Sequence, residues 1–277
     1  MSLATARSLL FAPGNDEHRL EKALAAGADG VVADLEDAVP DAEKEAARAV
    51  ASRVLAGARS GSLVAVRVNA VGSDHWEPDL RAFAGVELDA IVLPKATPDA
   101  VAALEPDGPP IVAIVETAVG VRRAYETALQ PRVEALVLGA VDLGLELGLE
   151  PRVDGQEVLY ARSALVVDSA AAGIRSPFDL VHVDTRDNEG LEVESLLARS
   201  LGFRGKVCIH PAQVEIVNRV FSPTREDADR ARRVVEAYER GLADGRGTVA
   251  LDGEMIDLPV VERARRILAE TERSASE

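Results

Sequence analysis

Eight short apolar runs, each followed by a helix-like segment, predict an α/β chain built as a (β/α)8 TIM barrel with a C-terminal helical arm. Three observations carry that expectation. The runs are rich in Val, Leu and Ile and do not alternate with polar residues, the mark of parallel strands covered on both faces. The segments between them are rich in Ala, Leu, Glu and Arg at helical spacing. No glycine-rich dinucleotide turn follows the first run, which weakens the alternative of a doubly wound open sheet.

In chain order the runs are Ser8–Pro13, Gly30–Leu35, Leu63–Val68, Ala90–Pro94, Ile111–Val115, Ala135–Gly139, Phe178–Val183 and Lys206–Ile209. The turn Pro13-Gly14-Asn15-Asp16 opens a helical segment, Asp16–Ala26. Further helical segments include Asp41–Ala56 and Asn188–Leu201. Beyond Phe221 the sequence predicts a helix (Glu226–Leu242), a strand-like piece (Thr248–Leu251) and a last helix (Pro259–Glu270). The expected division is a barrel with the metal and substrate site over 1–220 and an arm over 221–277. The barrel already has its eight strands, yet the arm carries Asp257 between Ile256 and Leu258. So apolar a segment is expected to dock, and a neighbouring subunit offers the simplest surface.

Composition removes whole classes of function. The 277 residues are 47% hydrophobic and 28% charged, a globular balance. The net charge of −16 repels polyanions, so neither nucleic acid nor an anionic membrane is an expected partner. Any anionic ligand must meet a local cluster of cations. The single cysteine, Cys208, excludes an intrachain disulfide and a cysteine-based zinc cluster. The apolar runs are strand-length rather than membrane-length, and no signal-peptide pattern follows Arg7, so the expected location is the cytoplasm.

The chemistry lies at the ends of the runs. Asn15, Glu36 and Asp37, Arg67 and Asn69, Lys95, Glu116, Asp142, Asp184 and Asp187, and His210 sit at or just past them. That is the face on which barrel enzymes work, although polar residues also follow strands simply because loops are wet. Glu36, Arg67, Lys95 and Glu116 abut apolar residues directly. Glu116 and Asp142, on consecutive strands, could converge on Mg²⁺, which takes oxygen ligands and retains several waters. Each alone reads equally well as a helix cap or a loop ion pair. The histidines have no zinc-ligand spacing. Arg67, inside a core-like strand, needs an anion: a substrate carboxylate held by its planar fork, or Glu36 or Asp37. Lys95 is either a Schiff-base lysine or, the favoured reading, a charge paired with Glu116 or Asp37. His18, Arg19 and Lys22 form either a phosphate site at a helix start or a solvated face. Cys208 reads as core rather than nucleophile, and His210 as structural.

With these residues in place, the chain resembles the citrate lyase β-subunit-like, HpcH/HpaI aldolase family of CoA-ester lyases. The likeness runs from Arg7 to about Leu268. It rests on Ser8-Leu-Leu-Phe-Ala-Pro-Gly-Asn15, Asp34-Leu-Glu-Asp-Ala-Val39, Val66-Arg-Val-Asn69, Leu93-Pro-Lys95, Ile114-Val-Glu-Thr-Ala118, Gly139-Ala-Val-Asp-Leu143, Asp184-Thr-Arg-Asp-Asn-Glu-Gly190, Cys208-Ile-His-Pro-Ala-Gln213 and Met255-Ile-Asp-Leu-Pro259. The resemblance implies a Mg²⁺-dependent barrel that cleaves or forms the bond between a 2-keto acid and a CoA-thioester enolate. It implies Glu116 and Asp142 as metal ligands and Arg67 as the holder of the keto-acid carboxylate. Glu36 and Asp37 would stand behind the metal, with Ala140 and Val141 beside the substrate. Val141 occupies a position that is acidic in the family. His18, where a lysine is usual, and Lys22 would contact CoA, with the Val207–Cys208 backbone nearby. Asp257 would act as acid or base in a neighbouring subunit of a trimer or dimer of trimers.

The expected substrates are therefore short β-hydroxy dicarboxyl-CoA esters, namely citramalyl-, malyl- or citryl-CoA. A thioesterase on the same substrates is a close rival. Others are a citrate lyase β subunit acting on a carrier-bound thioester and a non-enzymatic CoA-ester sensor.

Overall fold

A computed structural model describes residues 2–58, 61–152 and 154–276, with side chains to residue 272. It divides into two compact units, Met1–Phe221 and Ser222–Glu277; the end residues 1 and 277 lie outside the described residues. The first unit is a closed parallel barrel of eight strands in sequence order. The strands are β1 (Ser8–Pro13), β2 (Gly30–Asp34), β3 (Leu63–Arg67), β4 (Ala90–Leu93), β5 (Ile111–Val115), β6 (Val133–Leu138), β7 (Phe178–Asp179) and β8 (Gly205–Cys208). Pairing of Ser8 with Lys206 and Leu9 with Val207 closes the ring. The helices are α1 (Glu17–Leu24), α2 (Lys44–Gly57), α3 (Trp76–Phe83), α4 (Pro98–Ala102), α5 (Ala118–Arg122), α6 (Ala124–Ala128), α7 (Ala140–Leu147), α8 (Leu159–Ala172), α9 (Asn188–Leu201) and α10 (Pro211–Phe221).

Both faces of the strands are buried, which is why the runs do not alternate with polar residues. Leu9, Val32, Val92, Val112, Val137, Phe178 and Val207 belong to the core inside the ring. Their neighbours Leu10, Val31, Val66, Ile91, Leu136 and Cys208 belong to a larger core with the surrounding helices. The seventh strand is shorter than its apolar run, ending at Asp179 instead of Val183. Asp179 is wholly buried and accepts two hydrogen bonds from Arg162 (2.9 and 3.0 Å) and one from Lys206 (2.8 Å). These charges, with Glu194 beside Arg162 and Lys206, join α8 and α9 to the barrel wall. Pairing satisfies them where a lone buried charge would be very costly.

The second unit contains α11 (Arg225–Ala243), β9 (Val249–Leu251), β10 (Glu254–Ile256) and α12 (Leu258–Ser276). Thr224 and Asp227 form a reciprocal capping box at the start of α11. The strand-like piece proves to be one arm of an antiparallel hairpin, and the last helix is longer than its apolar pattern. Ala231, Val234, Tyr238, Ile256, Val261 and Ala264 make this unit's own core. Among the described residues, no helix is long and apolar enough to cross a membrane.

Candidate active site

The register of β2 and β3 sets one wall of the site. Asp34 and Arg67 are paired positions at the ends of adjacent strands. The Arg67 guanidinium donates from Nε to Asp34 Oδ1 (2.7 Å) and from Nη2 to Oδ2 (2.6 Å), a two-bond fork. Its Nη1 lies 2.9 Å from Glu36 Oε2 and 3.3 Å from Asp37 Oδ2. Its flat face stands 5.5 Å from the centre of the Phe11 ring. Burial works against the Arg67 charge, but the bonds and charges of Asp34, Glu36 and Asp37 hold its pKa above the ordinary value. Asp34 also accepts the Glu36 and Ala38 N–H groups, so it shapes the loop after β2. Buried Lys44 donates to the Leu35 and Glu36 carbonyls of the same loop.

The second wall comes from the ends of β4, β5 and β6. Glu116, directly after β5, is 5% exposed, and its Oε1 accepts the Lys95 N–H at 2.7 Å. Burial pushes its pKa up to about 7, against the pull of that N–H. Gly139 makes the seat possible. A Cβ there would come within 2.5 Å of the Glu116 Cβ and 2.6 Å of its Oε2. Asp142 lies in the first turn of α7. Lys95 reaches between the walls, its Nζ 3.3 Å from Glu36 Oε1 and 3.9 Å from Asp142 Oδ2. Burial disfavours that ammonium, but Glu36, Glu116 and Asp142 hold it charged above its ordinary range. Of the two expected partners, Glu116 holds Lys95 through its N–H and its charge, while the ammonium meets Glu36 and Asp142 in place of Asp37. An amine paired in this way argues against a Schiff base. Burial raises Glu36, with the Arg67 charge opposing.

Between the walls is a cavity of about 440 Å³. Arg19, Asp34, Asp37, Arg67, Glu116 and Asp142 form its charged side; Phe11, Ile114, Val137, Val181, Val207 and Ile209 supply apolar surface. Ala140 and Val141 also line it, so the structure gathers most of the sequence-predicted site residues. Glu36 joins through Arg67 and Lys95.

Other expected residues stand elsewhere. His18 lines a neighbouring groove with Asn15, Asp16 and Arg19, while Lys22 lines neither space. The Cys208 side chain is buried among the outer core residues, and burial pushes its thiol up to about 12. Only its backbone is left for a ligand. In the second unit, Asp257 accepts the Val260 N–H (3.3 Å) at the start of α12. Asn15 bonds Glu43, buried Asn69 bonds Leu35 and Asp79, and Asp187 caps α9. Asp184 accepts the Arg186 N–H, and His210 Nδ1 accepts the Ala212 N–H. Sequence reasoning missed Asp34, Lys44 and the presence of Arg19 in both spaces. The available signal for Asp34 was a second charge one strand away from the arginine in an apolar run.

The fold is that of a TIM-barrel enzyme, and its likeness to known proteins places it among the carbon–carbon lyases. The chain belongs to the HpcH/HpaI aldolase/citrate lyase family, whose description matches residues 7–211, and a C–C bond lyase of the TIM-barrel fold matches residues 156–272. It is 40% identical over 275 residues to a (3S)-malyl-CoA thioesterase of Cereibacter sphaeroides strain KD131, covering 98% of this chain and 96% of that one. It is 34% identical over 286 residues to the citrate lyase β subunit of Escherichia coli K12, covering 98% and 94%. Protein CitE of Mycobacterium tuberculosis, solved with magnesium, acetoacetate and coenzyme A, superposes with a TM-score of 0.85. That pair shares 35% identity over 97% of this chain and 99% of the other.

Proposed function

We propose that the protein is a Mg²⁺-dependent lyase for a short β-hydroxy dicarboxyl-CoA such as citramalyl-, malyl- or citryl-CoA. It cleaves or forms the carbon–carbon bond joining a 2-keto acid or oxoacid to acetyl-CoA or a related acyl-CoA. The observation that carries this reading is the meeting of Glu116, Asp142 and Arg67 in one mainly apolar cavity. Solved CitE, with its bound magnesium, acetoacetate and coenzyme A, supports it.

The donors present fit magnesium. Glu116 and Asp142 offer carboxylate oxygens, while Asp34, Glu36, Asp37, Glu116 and Asp142 together outnumber the cations Arg67 and Lys95. Among the described residues, no group of three or more His, Cys, Asp or Glu is arranged around one point. Two protein ligands, with water and substrate completing the shell, suit this ion. Bound there, it would supply Lewis-acid stabilisation to negative charge on the reacting oxygen.

The chain's own residues do the rest. Asp34 fixes Arg67 so that the guanidinium edge facing the cavity can receive a substrate carboxylate. Asp37, exposed and the more distant of the Nη1 partners, is the one that yields. In cleavage the substrate hydroxyl gives its proton to water in the cavity, the carbon–carbon bond breaks, and its electron pair becomes the thioester enolate. The proton taken up by solvent balances the one delivered to the enolate carbon. The arm's Asp257, delivered by a neighbouring subunit of a trimer or dimer of trimers, gives the enolate carbon its proton; in synthesis it removes one. At the start of α1, Arg19, which lines the cavity, and His18 beside it would meet the CoA phosphates, and the Val207–Cys208 backbone would contact the same ligand.

A thioesterase reading has specific support in the 40%-identical malyl-CoA thioesterase. Mass spectrometry of products from a panel of these CoA esters, with and without Mg²⁺, separates the two. A keto acid plus an acyl-CoA marks the lyase; free CoA plus the intact hydroxy diacid marks the thioesterase. Turnover of none of them would overturn both readings.

A further inference from the structure

The structure gives Lys95 an unusual double attachment. Its backbone sits at φ 48°, in the left-handed region that non-glycine residues seldom occupy. Two contacts hold it there. Its N–H donates to Glu116 Oε1 at 2.7 Å, and the next N–H, of Ala96, donates to the Ile114 carbonyl at 2.9 Å. Its side chain reaches Glu36 Oε1 (3.3 Å) and extends towards Asp142 Oδ2 (3.9 Å). One residue therefore touches a carboxylate from each of three strand ends. A glycine or asparagine would adopt this backbone with less strain and seat Glu116 equally well. A lysine in this strained backbone, with its head on two carboxylates, points to work for the ammonium.

Resting on the metal site proposed above, we propose that Lys95 is a built-in counter-ion of that site, a positioning residue that sets its affinity for the divalent cation. Without the ion, the ammonium partly neutralises Glu36 and Asp142 and holds the acids close despite their mutual repulsion. When a divalent cation arrives, the same positive charge opposes it. The site is thereby kept assembled yet binds metal less tightly than its carboxylates alone would allow. Lys95 Nζ lies nearer to Glu36 (3.3 Å) than to Asp142 (3.9 Å), so its charge stays paired with Glu36 when Asp142 turns to the cation. A unit charge this close typically moves a neighbouring charge equilibrium by about one to three powers of ten.

The test is Mn²⁺ binding to the full chain, followed by the loss of the free-ion electron paramagnetic resonance signal and by calorimetry, with no substrate present. Wild type, Lys95→Met, Lys95→Arg and Glu116→Gln are compared, with circular dichroism confirming the fold of each. Lys95→Met is expected to bind Mn²⁺ about tenfold or more tightly, and Lys95→Arg to stay close to wild type. Glu116-dependent binding in wild type, with Lys95→Met equal to it or weaker, would overturn this inference and leave the metal reading standing. Binding that is the same in Glu116→Gln as in wild type would overturn the metal reading and this inference with it. Should Lys95→Met fail to fold, Lys95→Gln carries the same expectation, since it also removes the charge while keeping a polar head.

Discussion

Replacing Asp34 by asparagine keeps the side chain's shape and removes its charge, which isolates what the acid does for Arg67. Asp34 is 3% exposed and receives both bonds of the Arg67 fork, along with the Glu36 and Ala38 N–H groups. The asparagine keeps one oxygen, but its amide turns a donor towards an arginine nitrogen now 2.6 Å from Oδ2. A hydrogen bond to a charged group contributes about 1.5–3 kcal/mol, and loss of one partner of a buried pair costs about 3–5 kcal/mol. Glu36 and Asp37 still face Nη1 and take up part of the stranded charge. The expected loss is therefore at the lower end, about 3 kcal/mol. Urea unfolding followed by Trp76 fluorescence reads it directly, because this lone tryptophan is 7% exposed in the barrel unit. The midpoint should fall while the slope stays constant. A loss below about 1 kcal/mol, within the range of exposed pairs, would refute the idea that Asp34 anchors the arginine.

Four other outcomes are expected. Glu116→Ala and Asp142→Ala should each abolish metal-dependent turnover with the fold intact by circular dichroism; near-normal activity in a chelator would remove both from the metal site. Burial raises Glu116 to about 7 from an ordinary 4.5, so its charged form destabilises the metal-free fold fully above pH 7, and the cost disappears as pH falls towards 4.5. Glu116→Gln should accordingly be more stable than wild type in chelator at pH 8, by an amount on the order of 3 kcal/mol, and the advantage should vanish near pH 4.5; a pH-independent difference in unfolding midpoint would contradict this. Arg67→Lys keeps the charge but loses the fork, and should lose about 2–4 kcal/mol of transition-state binding in kcat/KM; wild-type kinetics would reduce position 67 to bulk charge. Asp257→Ala and Glu116→Ala, each inactive, should regain partial activity when refolded together, if the arm serves a neighbour's site; no recovery in mixed oligomers verified by mass would place Asp257 in its own chain's chemistry or outside it.

What could be read along the chain was whatever a single strand carries by itself. The apolar runs gave the barrel because burial on both faces is written into each run separately. Arg67 and Glu116 stand out because each abuts apolar residues directly. Asp142 follows the next run, so the two acids read as a pair where each alone reads as a cap or an ion pair. The seventh strand is shorter than its apolar run: Leu180 to Val183 is apolar enough to pair, but the ladder ends at Asp179, whose acid meets Arg162 and Lys206.

What remained hidden depends on register and on backbone twist, which no single run encodes. Glu36 and Asp37 are as close to Arg67 in sequence as Asp34 is, and only the pairing of β2 with β3 at the same level gives Asp34 the fork. Nothing in Leu93-Pro-Lys95 announces a left-handed lysine, yet that one dihedral decides that its N–H serves Glu116 while its ammonium serves Glu36 and Asp142. Gly139 is the counterpart on the next wall, an ordinary glycine before a helix whose missing Cβ leaves the space that Glu116 fills. A sequence can therefore nominate the charged groups of such a site, but their division into anchors, ligands and counter-ions is a property of the closed barrel. It is at Asp34, Lys95 and Gly139 that substitutions should separate holding the site together from doing its chemistry.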